Sequence, residues 1–90
     1  ATLAVRSNPF HAATTFEFAV PRAGRVRLEI FDASGRRVRT FEDPGTGLGT
    51  RSILWDGRDD SGRRLHAGIY LCALSLDDAV VAQRKTIMLR

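Results

Sequence analysis

Hydrophobic and polar residues alternate along most of this 90-residue chain, and turn-forming residues interrupt the alternation every ten or so positions. A period of two is typical of strands with one buried face, and no window of the sequence repeats with the period of a helix. The pattern therefore predicts an all-β fold with about seven short antiparallel strands. They cover residues 3–5, 15–20, 25–31, 36–41, 51–55, 68–76 and 80–89.

The alternation also predicts which side chains form the core. Trp55 ends the fifth strand on its inward face and is the expected anchor of the core. The sixth strand is apolar on both faces, as expected for a central strand that is covered more on both sides than its neighbours. The expected structural side chains are aromatic or aliphatic and lie at inward positions: Phe10, Phe16, Phe18, Leu28, Ile30 and Trp55.

The clearest hairpin signal connects the third and fourth strands. Asp32 is placed to accept hydrogen bonds from the turn amides, and Gly35 supplies the positive φ that the turn needs. In the fourth strand an odd number of positions separates Val38 from Phe41, so strict alternation fails there. A bulge or a strand end is expected at that point.

The chain has the length of one small domain. Residues 43–49, which are rich in glycine, predict a flexible loop. The sequence shows no linker, no repeat and no low-complexity segment. We therefore expect residues 1–90 to form a single domain.

Three groups of residues, taken in order, resemble one protein family. They are Asn8-Pro9-Phe10 followed by Thr14-Thr15-Phe16, the hairpin of residues 26–36, and Trp55-Asp56-Gly57-Arg58-Asp59 leading to Ala67-Gly68-Ile69-Tyr70. The combination is similar to the immunoglobulin-like C-terminal domain of bacterial secreted proteins, which is related to the domain of flagellar hook-capping proteins and to type IX secretion sorting domains. The resemblance covers nearly the whole chain. It implies an immunoglobulin-like β-sandwich of two sheets.

The run Gly68-Ile69-Tyr70-Leu71-Cys72 further resembles the tyrosine corner of immunoglobulin domains. In that corner a tyrosine lies two residues before a cysteine, and its hydroxyl bonds back to the main chain. The resemblance assigns Gly68 and Tyr70 to the architecture of the domain and places Tyr70 in the second sheet.

The net charge of +4 depends almost entirely on arginine, because Lys85 is the only lysine among 14 basic residues. A basic chain can bind nucleic acid. Here the arginines mostly alternate with apolar residues, as in Arg25-Val26-Arg27-Leu28, which is typical of the solvated face of a sheet. No row of stacking aromatic residues accompanies them. We therefore predict no nucleic-acid partner, and no stretch approaches the ~18 apolar residues of a membrane helix, so direct membrane insertion is not expected.

Candidate chemistry is sparse. Asp56, Asp59 and Asp60 lie in one loop and are weak calcium candidates. Their spacing is not that of an EF-hand, and hydrogen bonds within a turn completed by Gly62 explain them better.

The remaining reactive side chains give no catalytic pattern. Cys72 is the only cysteine, which excludes an internal disulfide and a zinc site built from cysteines. Its place on a central strand predicts a buried thiol. His11 and His66 stand alone in polar turns. We predict no catalytic residue, no cofactor and no enzymatic activity.

Three functions remain open. The first, which the resemblance implies, is a sorting or attachment domain of a secreted bacterial surface protein, recognised by secretion machinery. The second is a structural subunit or assembly module whose edge strands pair with neighbouring chains at residues 3–5 or 87–89. The third is an accessory sandwich that binds carbohydrate or protein, with Phe31 as the candidate aromatic on an outward register, although a buried place against the next strand explains Phe31 equally well. The candidate export or strand-pairing segment consists of Lys85, Ile87, Met88, Leu89 and Arg90.

Overall fold

Seven strands make up the fold in the computed structural model, which describes residues 2–20, 22–43 and 49–89. The strands are β1 (Thr2–Val5), β2 (Thr14–Val20), β3 (Val26–Phe31), β4 (Arg37–Asp43), β5 (Gly49–Trp55), β6 (Gly68–Leu76) and β7 (Ala79–Met88). The predicted all-β fold is confirmed. Residues 44–48 of the predicted loop and Arg90 lie outside the described residues. Within them, no helix has the length and apolar character needed to cross a membrane.

The strands form two antiparallel sheets. One has three strands in the order β1-β2-β5, and the other has four in the order β4-β3-β6-β7. Because β6 pairs with β3 on one side and β7 on the other, its predicted central position is confirmed. The arrangement is an immunoglobulin-like sandwich, and the four-stranded sheet offers the larger outer face.

Burial along the strands follows the sequence pattern where one face meets the core. Every second side chain of β2, from Thr14 to Val20, is buried, and so are Val26, Leu28 and Ile30 on β3. The period of two therefore positions these strands with one face inward, as the pleat of a strand requires.

Two bulges interrupt the ladders of the four-stranded sheet. The register between β3 and β4 shifts after Ile30 and leaves Val38 as the extra residue on β4, which confirms the predicted irregularity. A second shift after Leu74 leaves Val81 as the extra residue on β7. The second bulge was not predicted, because the neighbouring apolar residues show no alternation that a bulge could break.

The core lies between the two sheets and is centred on Trp55. This side chain is fully buried, with ring centroids 5.5 Å from Phe10 and from Tyr70 and 6.2 Å from Phe16. Aromatic contacts at these separations add to the free energy of burial. The apolar residues of the core are Leu3, Phe10, Phe16, Phe18, Val20, Val26, Leu28, Ile30, Val38, Trp55, Tyr70, Cys72, Leu74, Leu76 and Met88.

A tight hairpin turn joins β6 to β7. Asp77 and Asp78 have φ values of 51° and 71°, the left-handed conformation that a two-residue hairpin loop uses. The Asp77 carboxylate accepts a hydrogen bond from the Arg25 N–H at 2.9 Å and pairs with Arg22 at 2.7 Å. The Arg25 hydrogen bond is the main cause that lowers the pKa of Asp77, and the Arg22 hydrogen bond acts in the same direction.

Candidate docking surface

The side chains with nucleophilic or metal-binding chemistry do not form a reactive cluster. Cys72 on β6 is fully buried, and burial raises the pKa of its thiol to about 12, so the thiol is protonated at neutral pH. His11 and His66 lie in different loops and are exposed. Across the described ranges, no three His, Cys, Asp or Glu side chains come close enough to hold a metal ion.

The three aspartates considered as calcium ligands bind donors of the protein itself. Asp56 Oδ1 accepts the Arg58 N–H at 3.2 Å, and Asp60 Oδ1 accepts the Thr40 N–H at 3.1 Å. Asp59 is bound within its own turn. Asp56 and Asp60 also lie 3.8 and 3.6 Å from the Arg39 guanidinium, so the loop that carries the three carboxylates is fastened to β4.

The same five-residue turn occurs twice, at residues 32–36 (Asp-Ala-Ser-Gly-Arg) and 59–63 (Asp-Asp-Ser-Gly-Arg). In each, the aspartate Oδ1 accepts the serine N–H at 3.0 Å, the serine hydroxyl at 2.6 Å and the arginine N–H at 3.0 Å. The serine hydroxyl is the main cause that lowers the pKa of both Asp32 and Asp59. The predicted role of Asp32 is confirmed, as is that of Gly35, whose φ is 89°.

The two matching pentapeptides are visible in the sequence, which predicts a turn at each of them, the first with Gly35 at positive φ and the second completed by Gly62.

Arg64 is a structural residue that sequence reasoning missed. Its Nη1 donates to the carbonyl oxygens of Ala12 at 3.1 Å and Asp56 at 2.7 Å, so one guanidinium joins two distant loops. Gly57 lies against it with a φ of 75°, and a Cβ there would lie 2.8 Å from Met88 Sδ. No local signal in the sequence announces these contacts, since the partners lie far apart along the chain.

The tyrosine corner that the sequence suggested is present. The Tyr70 hydroxyl donates to the His66 carbonyl oxygen at 2.5 Å, and burial raises the pKa of Tyr70, which keeps the hydroxyl protonated. Gly68, with a φ of 158°, begins β6 between them. On the other side of the core, Trp55 Nε1 donates to the Arg58 carbonyl oxygen at 3.0 Å. Both large polar aromatics are therefore tied to loops.

The edge of β7 at the candidate strand-pairing segment is not free. Asn8 Oδ1 accepts the Ile87 N–H at 2.9 Å, and Asn8 Nδ2 donates to the Lys85 carbonyl oxygen at 3.2 Å. The Phe10 N–H donates to the Ile87 carbonyl oxygen at 3.0 Å, and the Leu89 N–H donates to the Phe10 carbonyl oxygen at 2.7 Å. The main-chain groups that a partner strand would need are therefore bonded within the chain.

The other candidate pairing positions differ in their surroundings. Residues 3–5 belong to β1, an edge strand of the three-stranded sheet that pairs with β2 on its inner side, and Leu3 is buried. Met88, at the end of β7, is buried in the core. At the opposite edge of the four-stranded sheet, the Asp60 N–H donates to the Val38 carbonyl oxygen at 3.0 Å. Edge pairing at residues 87–89 or at Val38 would require the chain to rearrange.

The outer face of the four-stranded sheet carries an exposed group of apolar side chains. Ile69 on β6 and Ile87 on β7 are direct cross-strand partners and are 48% and 38% exposed. Phe31 on β3 and Leu71 on β6 are also direct partners and are half-buried. We call these four residues the outer-face patch. Phe31, Ile69 and Leu71 line a shallow depression of about 490 Å³ together with Lys85, Asp32, Ala33 and Gly35.

Coverage of β6 changes along the strand. The outward residues Ala73 and Ser75 are buried, so this part of β6 is covered on both faces more than its neighbours, as expected, whereas Ile69 is exposed and Leu71 is half-buried. Phe31, the candidate aromatic of the carbohydrate-binding hypothesis, lies on the outer face as its register predicts, and its ring is half-buried between its cross-strand partners Leu71 and Arg37. The signal for the patch was available as outward apolar positions on neighbouring strands.

The chain is similar to one protein family and to several solved structures. A family profile described as the FlgD Ig-like domain matches residues 7–79. The solved structure of FlgD from Xanthomonas campestris, whose hook capping is essential for flagellar assembly, is 33% identical with a TM-score of 0.66 and matches 84% of this chain and 55% of its own. No curated protein matches the chain.

Two proteins of Porphyromonas gingivalis share the fold. Latent dimeric PorU has a TM-score of 0.78 at 23% identity, over 97% of this chain and 9% of its own. PorZ, an essential surface component of the type IX secretion system, has a TM-score of 0.68 at 22% identity, over 98% of this chain and 11% of its own. The chain thus spans about half, or far less, of the proteins that it resembles.

Proposed function

The chain belongs to the FlgD Ig-like domain family, and from that premise we propose that it is a non-catalytic sorting or attachment module of a larger secreted or surface-exposed bacterial protein. In this proposal the folded domain is a tag whose surface is recognised by an export machine. Its partners are proteins, and its place is outside the cell or on the cell surface.

The observation that carries this proposal is the outer-face patch. Contiguous apolar side chains on the outside of a domain mark contacts with other macromolecules. The described residues with reactive potential are engaged otherwise, since Cys72 is buried and protonated and the loop aspartates bind internal donors. The domain therefore offers a surface for recognition, and the fold that it shares with PorU and PorZ supports an export context.

A reporter fusion tests the proposal. Residues 1–90 are fused to the C-terminus of a periplasmically targeted fluorescent protein in a bacterium that has a type IX secretion system. We expect the reporter at the cell surface or in the medium, and in the periplasm of a matched strain that lacks the secretion system. A reporter that remains periplasmic while an established tag exports the same protein would refute the proposal.

A second candidate is an assembly module of an extracellular structure. The 33% identity to the hook-capping FlgD of X. campestris supports it. The edges of β4 and β7 are bonded internally at Val38 and Ile87, so such assembly would use a sheet face or the edge strands β1 and β5 of the other sheet. Sedimentation velocity over a wide concentration range discriminates, since a strictly monomeric species at high concentration counts against self-assembly.

A further inference from the structure

The register of the four-stranded sheet places two apolar side chains between two cations. Arg37 pairs with Phe31, Phe31 with Leu71, and Leu71 with Lys85, so the four residues form one row across β4, β3, β6 and β7. Strands lie about 4.8 Å apart, which makes the row roughly 14 Å long. The Ile69 and Ile87 pair widens its apolar centre.

The charges at the ends of this row differ in how well they are neutralised. Arg37 donates to Glu29 at 2.9 Å, while its side chain remains 56% exposed. None of the ion pairs among the described residues includes Lys85. Arg36, which is 73% exposed, lies 3.5 Å from Asp32. The rim of the outer-face patch therefore carries excess positive charge beside an apolar centre.

This charge pattern disfavours a second copy of the chain as the occupant. In a face-to-face contact with a two-fold axis along the row, Lys85 meets the Lys85 of the other copy. With the axis across the row, Lys85 meets Arg37. Both arrangements oppose like charges, which destabilises a contact, whereas a partner with carboxylates at these points is attracted to the rim.

We propose that the outer-face patch docks onto an acidic protein surface of the export apparatus that presents apolar side chains between carboxylates. This inference depends on the sorting function proposed above and assigns it to a surface. The carboxylates steer the encounter and pair with Lys85, and the apolar side chains cover Ile69 and Ile87. A contact centred on a few side chains suits a tag that is bound and then released.

The test uses the same reporter fusion with three single substitutions. Ile69→Asp places a carboxylate in the centre of the patch, and Lys85→Glu reverses the unpaired charge. Leu54→Asp is the matched control, because Leu54 is 65% exposed on β5, in the other sheet. We expect export to fall at least about tenfold for Ile69→Asp, as for loss of a binding hot spot, and severalfold for Lys85→Glu. Leu54→Asp should stay within about twofold of the parent chain.

Each outcome is decisive when the thermal melts of the purified domains are compared. If the parent chain and Ile69→Asp are exported equally well, the docking surface is refuted, whereas the sorting function is supported. If Ile69→Asp reduces export and Lys85→Glu does not, the acidic character of the partner is refuted. If the domain forms a concentration-dependent dimer that Ile69→Asp abolishes, the patch is assigned to a second copy of the chain. Failure of the parent to be exported overturns both proposals. If Ile69→Asp is unfolded in the thermal melt, the test uses Ile87→Asp on β7 instead.

Discussion

Thr86 is a buried side chain whose hydroxyl has no hydrogen-bond partner. It lies on β7 opposite Tyr70, is 0% exposed, and its Oγ1 is one of two buried side-chain polar atoms left unsatisfied among the described residues. Burial of a hydroxyl without a compensating hydrogen bond is unfavourable. We therefore predict that Thr86→Val, which replaces the hydroxyl with a methyl group of similar size, stabilises the fold.

The size of the effect follows from the lost hydration of the hydroxyl. An unsatisfied buried hydroxyl costs about 1–3 kcal/mol, so its removal should raise the free energy of unfolding by about 1–2 kcal/mol. In a domain of this size 1 kcal/mol changes the midpoint of thermal unfolding by roughly 4–8 °C. Urea denaturation is the assay, and the midpoint should rise while the m-value stays constant.

Thr14 provides a matched control on β2. It is 2% exposed, but its hydroxyl donates to the Ser7 carbonyl oxygen at 2.6 Å and accepts the Ser7 N–H at 3.3 Å. Thr14→Val should therefore lower the free energy of unfolding by about 1–2 kcal/mol. Opposite signs for the two substitutions support the reasoning. Equal losses of stability would refute it, because they would mean that the Thr86 hydroxyl is satisfied in the folded protein.

Three further predictions concern the corner, a glycine and the acidic turns. Tyr70→Phe removes the corner hydrogen bond and should lower the free energy of unfolding by about 1 kcal/mol in urea denaturation; no change would argue against the bond. Gly57→Ala should destabilise more than Gly62→Ala, because both positions have positive φ but only the first brings a Cβ against Met88; equal thermal midpoints would contradict this. Three turn carboxyls have folded-state pKa values lowered from 3.8: Asp32, Asp59 and Asp77. Their stabilisation is present above that pKa and lost as the pH falls through the lower folded values, so the thermal midpoint should drop below about pH 4, and less so in the triple Asp→Asn variant.

Local sequence patterns predicted the strands because a strand with one buried face needs an apolar residue at every second position. The odd spacing of Val38 and Phe41 also predicted an irregularity on β4, where the bulge lies. The bulge at Val81 could not be found in the same way, since its neighbours are apolar on both sides of the strand. A bulge is therefore visible in the sequence only where it interrupts a clear alternation of apolar and polar residues.

Features that join distant parts of the chain left no such signal. Asn8 precedes a proline and was interpreted within a turn, yet its side chain bonds the main chain of Lys85 and Ile87. Arg64 resembles any loop arginine but donates to carbonyl oxygens more than 50 residues away, at Ala12. These contacts are set by tertiary structure, because an amide or guanidinium has no preferred partner until the fold supplies one.

The closed edge of β7 is the strongest physical reason to look for recognition on a sheet face. A partner strand at residues 85–89 would have to replace four hydrogen bonds made by Asn8 and Phe10. It would also displace Phe10, which is 3% exposed and packs on Trp55, and so would expose part of the core. A partner at the outer-face patch displaces nothing and covers side chains that water already contacts. Docking at the outer-face patch therefore preserves the fold, whereas pairing at the edge of β7 would first require part of the fold to open.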